Sequence, residues 1–281
     1  MQIATLALFT GRAWQHLFWD APFRTLLWDE EWMKGIVERL LQMPWEDYIT
    51  SPIVDQNIQL SIQLFGGLYA LCAVVVLLID RVPAALRKLL LLGGSALVFL
   101  AALYCKERFF SVGQFLEYSL QFSSPFVLYY LYSQRQMSKR LEYVLRWATA
   151  FTFTCHGLYA LNYYPRPGLF VEMTMNILSV GEEGAFLFLN AAGLMDIVIS
   201  MAIISLPGRN KLLHWALIYA VIWGLLTSLA RIWAHLYIDF IGESLAIWLP
   251  EMIYRFPHFM LPFALYLHVK HQAKVPISLP S

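Results

Sequence analysis

The sequence is short of charge. Charged residues make up 14% of its 281 positions, against about 25% in a soluble domain. It lacks a charge excess of either sign, with 20 Lys and Arg against 19 Asp and Glu. That balance excludes a nucleic-acid partner recognised by a basic face. Cysteine is scarce: Cys72, Cys105 and Cys155 form no CxxC. A zinc motif, a thioredoxin-type redox pair and a disulfide framework are thereby excluded. Long polar stretches are missing too, so no separate soluble domain is expected. What the chain has in quantity is apolar surface, at 59% of residues and a mean hydropathy of +0.57. An ordinary soluble enzyme and a disordered chain are both excluded. The fold class implied is all-α: a polytopic membrane helix bundle.

A crossing helix needs about 20 mostly apolar residues. Eight stretches qualify, at roughly 2–19, 58–79, 86–105, 110–133, 143–163, 184–206, 211–237 and 247–269. The first has no basic leader and carries Arg12, Gln15 and His16, so it is not expected to be a cleavable signal. Basic residues alternate with acidic ones along the connections. One side collects Arg81, Arg87, Lys88, Arg135, Lys139, Arg140, Arg209, Lys211, Lys270 and Lys274. The other collects Asp20, Asp29, Glu30, Glu31, Glu38, Glu46, Asp47, Asp55, Glu107, Glu172, Glu182, Glu183, Asp239 and Glu243. The positive-inside rule then places both termini in the cytoplasm, with a bacterial inner membrane as the expected site and the lipid bilayer as the first partner. The connection over about 20–57 carries Trp32, Ile36, Val37, Leu40 and Leu41 at helical spacing. It predicts an external amphipathic helix, with Trp28 and Trp32 as interfacial anchors.

The two halves repeat each other. Gly11-Arg12 and Cys155-His156 open similar segments, each closed about ten residues on by a proline, Pro22 or Pro165. Gly67 matches Gly193, with Ala70 at the place of Asp196. Lys88 to Arg108 and Lys211 to Arg231 have equal spacing, and PFVLYYLY at 125–132 matches PFALYLH at 262–268. Matches in this order predict two parallel four-helix repeats, 1–135 and 140–274, followed by a tail at 275–281.

Ionisable residues inside spans are costly and normally face the bundle interior with a partner. Ten of them fall in the outer half: Arg12, His16, Glu117, His156, Asp196, Arg231, His235, Glu251, Arg255 and His258. They predict one outward-opening polar cavity. His156, Asp196 and Glu117 are its candidate catalytic residues, being titratable groups at suitable depth. Arg12, His16, Arg231, His235, Glu251, Arg255 and His258 are its candidate binding residues. Glu251 precedes Arg255 by four positions, the favourable order for a pair on one helix, and Glu117 could pair with Arg12. Such pairs also serve plainly as register-fixing contacts. No paired histidine spacing supports a metal or haem site. Trp14, Trp147, Tyr159, Trp233 and Trp248 could line a quinone or lipid pocket.

The second half resembles the DoxX/DoxD-like superfamily of four-helix membrane proteins. The resemblance rests on Arg146, on His156-Gly157 ten residues later, on the entry Pro167-Gly168-Leu169-Phe170, and on a Gly193-containing span with Asp196. The first half resembles a diverged copy, with Arg12 where the second has His156. Members of the superfamily include subunits linked to thiosulfate:quinone oxidoreduction, and the membrane part of vitamin K-dependent carboxylase is a remote relative. The resemblance implies a redox-associated subunit that binds a quinone or isoprenoid lipid and docks a membrane or periplasmic redox partner. A lipid or small-molecule transporter and a non-catalytic subunit or assembly factor are the competing expectations.

Overall fold

The computed structural model describes residues 1–274; the expected tail, 275–281, lies outside the described residues. No strand occurs among the described residues, and helices carry nearly all of them. The first segment is α1 (Gln2–Phe18), followed by the short α2 (Arg24–Leu27), α3 (Glu30–Ile36) and α4 (Trp45–Thr50). Next come α5 (Pro52–Leu77), α6 (Ala84–Arg87), α7 (Leu89–Glu107), α8 (Val112–Glu117) and α9 (Ser119–Gln134). The second half holds α10 (Lys139–Ala160), α11 (Gly168–Leu178), α12 (Glu182–Ser205), α13 (Lys211–His235), α14 (Ile241–Tyr254) and α15 (Pro257–Lys274).

Four helical stretches are long and apolar enough to cross a membrane: Pro52–Leu77, Ala84–Glu107, Glu182–Ser205 and Lys211–His235. Only 28% of the apolar window in Glu182–Ser205 is buried inside the protein. Its outer face shows Leu187, Leu194, Met195, Val198 and Met201 to the surroundings. A soluble monomer rarely exposes so continuous an apolar surface, whereas a bilayer covers it. The other four expected spans are shorter, more polar or broken. The stretch at 110–133 divides at Tyr118, and that at 247–269 divides between Tyr254 and Pro257.

Each break has a local cause. Pro257 has no N–H to donate, and its ring would collide with the carbonyl four residues back. The chain tightens there into three-residue turns: Arg255 N–H to Met252 O at 3.2 Å, Phe256 N–H to Ile253 O at 3.1 Å and His258 N–H to Arg255 O at 2.9 Å. At Tyr118 the backbone tightens in the same way, its N–H reaching Phe115 O at 3.2 Å. The N–H of Leu120 is then satisfied by the Thr152 hydroxyl of α10 at 3.2 Å. Irregular backbone at such depth persists where neighbouring groups take over its hydrogen bonds.

Helix starts follow ordinary capping. Ser51, Ser138 and Asn210 accept from Val54, Leu141 and Leu212 N–H at the starts of α5, α10 and α13. With Pro52 at the first position, α5 begins six residues before the expected boundary, as the serine cap and proline favour. Arg146 ties α10 to the end of α12. It pairs with Glu142 at 2.8 Å and donates to Ile203 O and Leu206 O at 3.2 and 2.7 Å. It thereby satisfies carbonyls at the C-terminal end of α12.

The most extensive helix contacts are α10 against α12 and α1 against α5, followed by α13 on α15, α1 on α14 and α7 on α9. Apolar cores fill two regions, one around Phe9, Ile62, Tyr69 and Leu100, the other around Leu145, Phe153, Leu217 and Leu265. The expected amphipathic helix is interrupted. After α3, residues Val37–Leu41 widen into a π-helical turn that ends at Gln42 with φ of 52°. Trp32, Ile36, Leu40 and Leu41 are exposed, Leu40 at 77%, whereas Val37 of the same expected stripe is buried against Trp45 and Tyr48. Asp29 anchors its start: it accepts from Trp32 N–H at 2.9 Å and pairs with Lys106 at the end of α7.

Candidate functional site

Close helix approach builds the site. A Cβ on Gly157 would lie 2.7 Å from Gly193 O, and one on Gly193 would lie 2.8 Å from Gly157 O. The α10 and α12 backbones therefore touch at this crossing, as small residues permit in membrane bundles. The crossing places His156 and Asp196 on neighbouring walls. Gly224 does the same for α13, where a Cβ would meet His258 O at 2.6 Å.

Around these crossings the predicted residues separate into two neighbouring groups rather than one chamber. The first surrounds Arg12, which is fully buried. Its guanidinium donates to Gln15 Oε1 at 2.7 Å and to Gln121 Oε1 at 2.6 Å. Tyr254, Tyr118 and Tyr104 present their rings at 3.9, 5.3 and 5.9 Å. Aromatic faces attract a cation, most strongly away from water. His16 donates through Nδ1 to Arg12 O at 2.8 Å and lies edge-on to Tyr69 at 5.0 Å. The expected pairing of Arg12 with Glu117 is not formed. Neutral glutamines and tyrosines take that place, because Glu117 turns the other way.

The second group contains the remaining candidates. Glu117 Oε1 lies 3.0 Å from His156 Nε2, and the His156 and His258 rings meet edge-to-face at 5.5 Å. Arg231 lies 3.5 Å from Glu251. The break after Tyr254 removes Arg255 from the helix that carries Glu251, so the ion pair of Glu251 is with Arg231 and the expected Glu251–Arg255 pair is not formed. Arg255 is 9% exposed and makes no hydrogen bond or ion pair among the described residues. Asp196 is buried and accepts from the Tyr219 hydroxyl at 3.3 Å. His235 belongs to the far end. It stacks on Trp248 at 3.8 Å, with Glu172 at 3.6 Å.

Between α10, α11, α12 and α13 lies a cavity of about 470 Å³, within the range of small-molecule sites. His156, Asp196, Arg231 and Arg255 form its polar end. Phe170, Met173, Ile177, Phe188, Leu226 and Trp233 form its apolar walls. Its rim is apolar and open: Leu226, Leu229 and Trp233 are 51%, 45% and 76% exposed. The cavity thus runs from an apolar side entrance between helices to a buried ionic end. Arg12 and His16 do not line it, and Glu117 and His258 stand behind His156. Of the predicted aromatics, Trp233 lines it and Trp14, Trp147, Tyr159 and Trp248 do not.

The sequence reading missed Gln121, Tyr104, Tyr118 and Tyr254, the partners of Arg12. Neutral polar residues in apolar runs carry no charge to count. Gln121 within the apolar stretch after Glu117 was the one available signal. The α11 wall was also missed, because Phe170, Met173 and Thr174 read only as part of an external segment. Among the described residues, no group of three His, Cys, Asp or Glu side chains converges to hold a metal ion. No family model, curated protein or solved structure matches the chain.

Proposed function

We propose that the protein is an integral membrane protein that holds an amphiphile with an isoprenoid or acyl tail, quinones among them, in the cavity between α10, α11, α12 and α13. The observation that carries this reading is the shape of polarity in that cavity. An apolar entrance at the side of the bundle leads to half-buried His156 and to buried Asp196, Arg231 and Arg255. A tail lying in the bilayer enters from the side, while its head exchanges headgroup water for fixed hydrogen-bonding groups. His156, backed by Glu117, and Asp196 are the groups able to donate or accept a proton at such a head.

The reading includes eight spans: α1, α5, α7, α8 with α9, α10, α12, α13, and α14 with α15. The broken pairs cross in two pieces, as the re-satisfied backbone at Tyr118 and the Tyr254–Pro257 turn allows. The paired packing of α1 with α5 and of α10 with α12 supports two parallel repeats. The distribution of Lys and Arg supports cytoplasmic termini; the bacterial inner membrane rests on the resemblance alone. The resemblance to DoxX-like proteins adds a role beside a redox partner. A second reading is favoured by one observation: the Arg12 cage is held by groups of the protein itself. In the first repeat the polar cluster is structural glue, as in a non-catalytic subunit.

Photolabelling tests the proposal. A benzophenone-tailed farnesyl probe added to native membranes should form adducts on Met173, Phe188 or Leu226, and these should be lost in Ala192→Trp, which fills the cavity. Adducts spread evenly over the outer faces of α5 and α7 would refute it.

A further inference from the structure

The apolar walls of the cavity select a tail, and its polar end selects a head. Arg231 and Arg255 both line that end, are 4% and 9% exposed, and leave their Nε atoms without a hydrogen-bond partner. Buried guanidinium groups are ordinarily paired, because an unmet donor and an uncompensated charge are each costly away from water. The acids nearby are already engaged. Glu117 is bonded to His156 at 3.0 Å, Asp196 to Tyr219 at 3.3 Å, and Glu251, one-third exposed, reaches Arg231 only at 3.5 Å. Arg255 has neither a hydrogen bond nor an ion pair among the described residues. Glu117 and Asp196 thus bond to other partners, and the two guanidinium groups keep unmet donors where an apolar entrance ends.

We infer that the head of the bound amphiphile is an oxyanion, a carboxylate or a phosphate monoester, seated against Arg255 and Arg231. The inference rests on the amphiphile reading above and deepens it. Planar guanidinium forks match both oxyanions through paired N–H···O bonds, and an anion there meets the unpartnered donors. A quinone carbonyl or an alcohol accepts hydrogen bonds but carries no negative charge, so its bonds to a guanidinium are weaker. The tail follows Phe170, Ile177 and Leu226 out to the exposed rim.

The test uses the full-length chain in nanodiscs of phosphatidylcholine alone, so that no lipid brings an anionic head with a free oxyanion terminus. The probes are farnesyl phosphate and palmitate, with farnesol, inorganic phosphate and decylubiquinone for comparison. Farnesyl phosphate or palmitate should bind and raise the melting temperature. Farnesol should bind at least about tenfold more weakly, the worth of a hydrogen bond to a charged group, and inorganic phosphate should not displace either anion. Arg255→Gln should cut the affinity for the anionic probes by about the same factor and leave farnesol unchanged. The comparison of farnesyl phosphate with farnesol on the unaltered protein needs no variant, so a misfolded Arg255→Gln does not rescue the inference. Equal binding of farnesol and farnesyl phosphate would overturn it, as would full displacement by inorganic phosphate. Decylubiquinone binding without either anion would overturn it and leave the amphiphile reading standing. Failure of every tailed probe would remove both.

Discussion

At the scale of single residues, the buried charges behave according to what each can reach. Arg12 is held by neutral oxygens and aromatic faces, so its stability depends on them. Gln121→Leu removes the 2.6 Å acceptor and should cost about 1.5–3 kcal/mol in detergent unfolding. Glu117→Leu should cost more, about 3–5 kcal/mol, since it strips His156 of its buried partner. A loss under 1 kcal/mol in chemical unfolding of either variant would show that the contact adds nothing. That these residues matter was legible in the sequence, because charge in an apolar run is conspicuous. Their partners were not. Spacing along one helix says which side chains share a face, but not which neighbouring helix that face meets. Arg12 could therefore be matched on paper with Glu117, although Gln121, one turn further along the chain, is the residue that reaches it. Glu251 and Arg255 were matched on the assumption of an unbroken helix, and the turn before Pro257 voids that spacing.

At the scale of elements, glycines set how near the helices come. Gly193→Ala forces a methyl group against the Gly157 carbonyl, a backbone atom that cannot swing away. It should destabilise by about 1–3 kcal/mol and shift α10 from α12. Gly67→Ala, where nothing lies within 4 Å, should be neutral or stabilise by up to about 1 kcal/mol. Equal melting temperatures for the two variants would count against the crossing. The external segment gives a pH prediction. The Lys106 side chain, and then the Trp32 N–H, hold the Asp29 carboxyl below the usual carboxylate range. A lowered native value means the contribution is complete above the unfolded carboxylate's value, about pH 4, and is lost as pH falls through the native one. Amide exchange over 30–41 should stay slow from pH 7 down to about 4 after correction for intrinsic rates, then quicken below it. Asp29→Asn should be fast throughout. Helix existence was largely readable from hydropathy, but two starts were not: the polar residues soon after the Ser51 and Ser138 caps lie outside the apolar stretches expected at 58 and 143. The breaks were not, because hydropathy continues unchanged through Tyr118 and through Pro257.

At the scale of the whole molecule, four helices long and apolar enough to cross a bilayer and their outward-facing apolar surface suit a membrane protein, while the proposed eight-span arrangement predicts where each connection lies. Ser138→Cys should react with a thiol reagent only from the cytoplasmic side and Glu183→Cys only from the opposite side. Cys72 and Cys155 are buried, and the half-buried Cys105 is first replaced by serine. Reaction of both from one side would break the topology. The side entrance of the cavity is a property of assembly. Leu226, Leu229 and Trp233 lie on a face that hydropathy assigns to lipid, and only the packing of α11 across α12 and α13 turns that face into a doorway. Mass spectrometry of the intact protein, released from native membranes in mild detergent, asks most directly whether anything stands in it. The account predicts one tailed amphiphile per chain, retained by the native protein and absent from Ala192→Trp. Bare protein, or an adduct that Ala192→Trp retains at full occupancy, would contradict it.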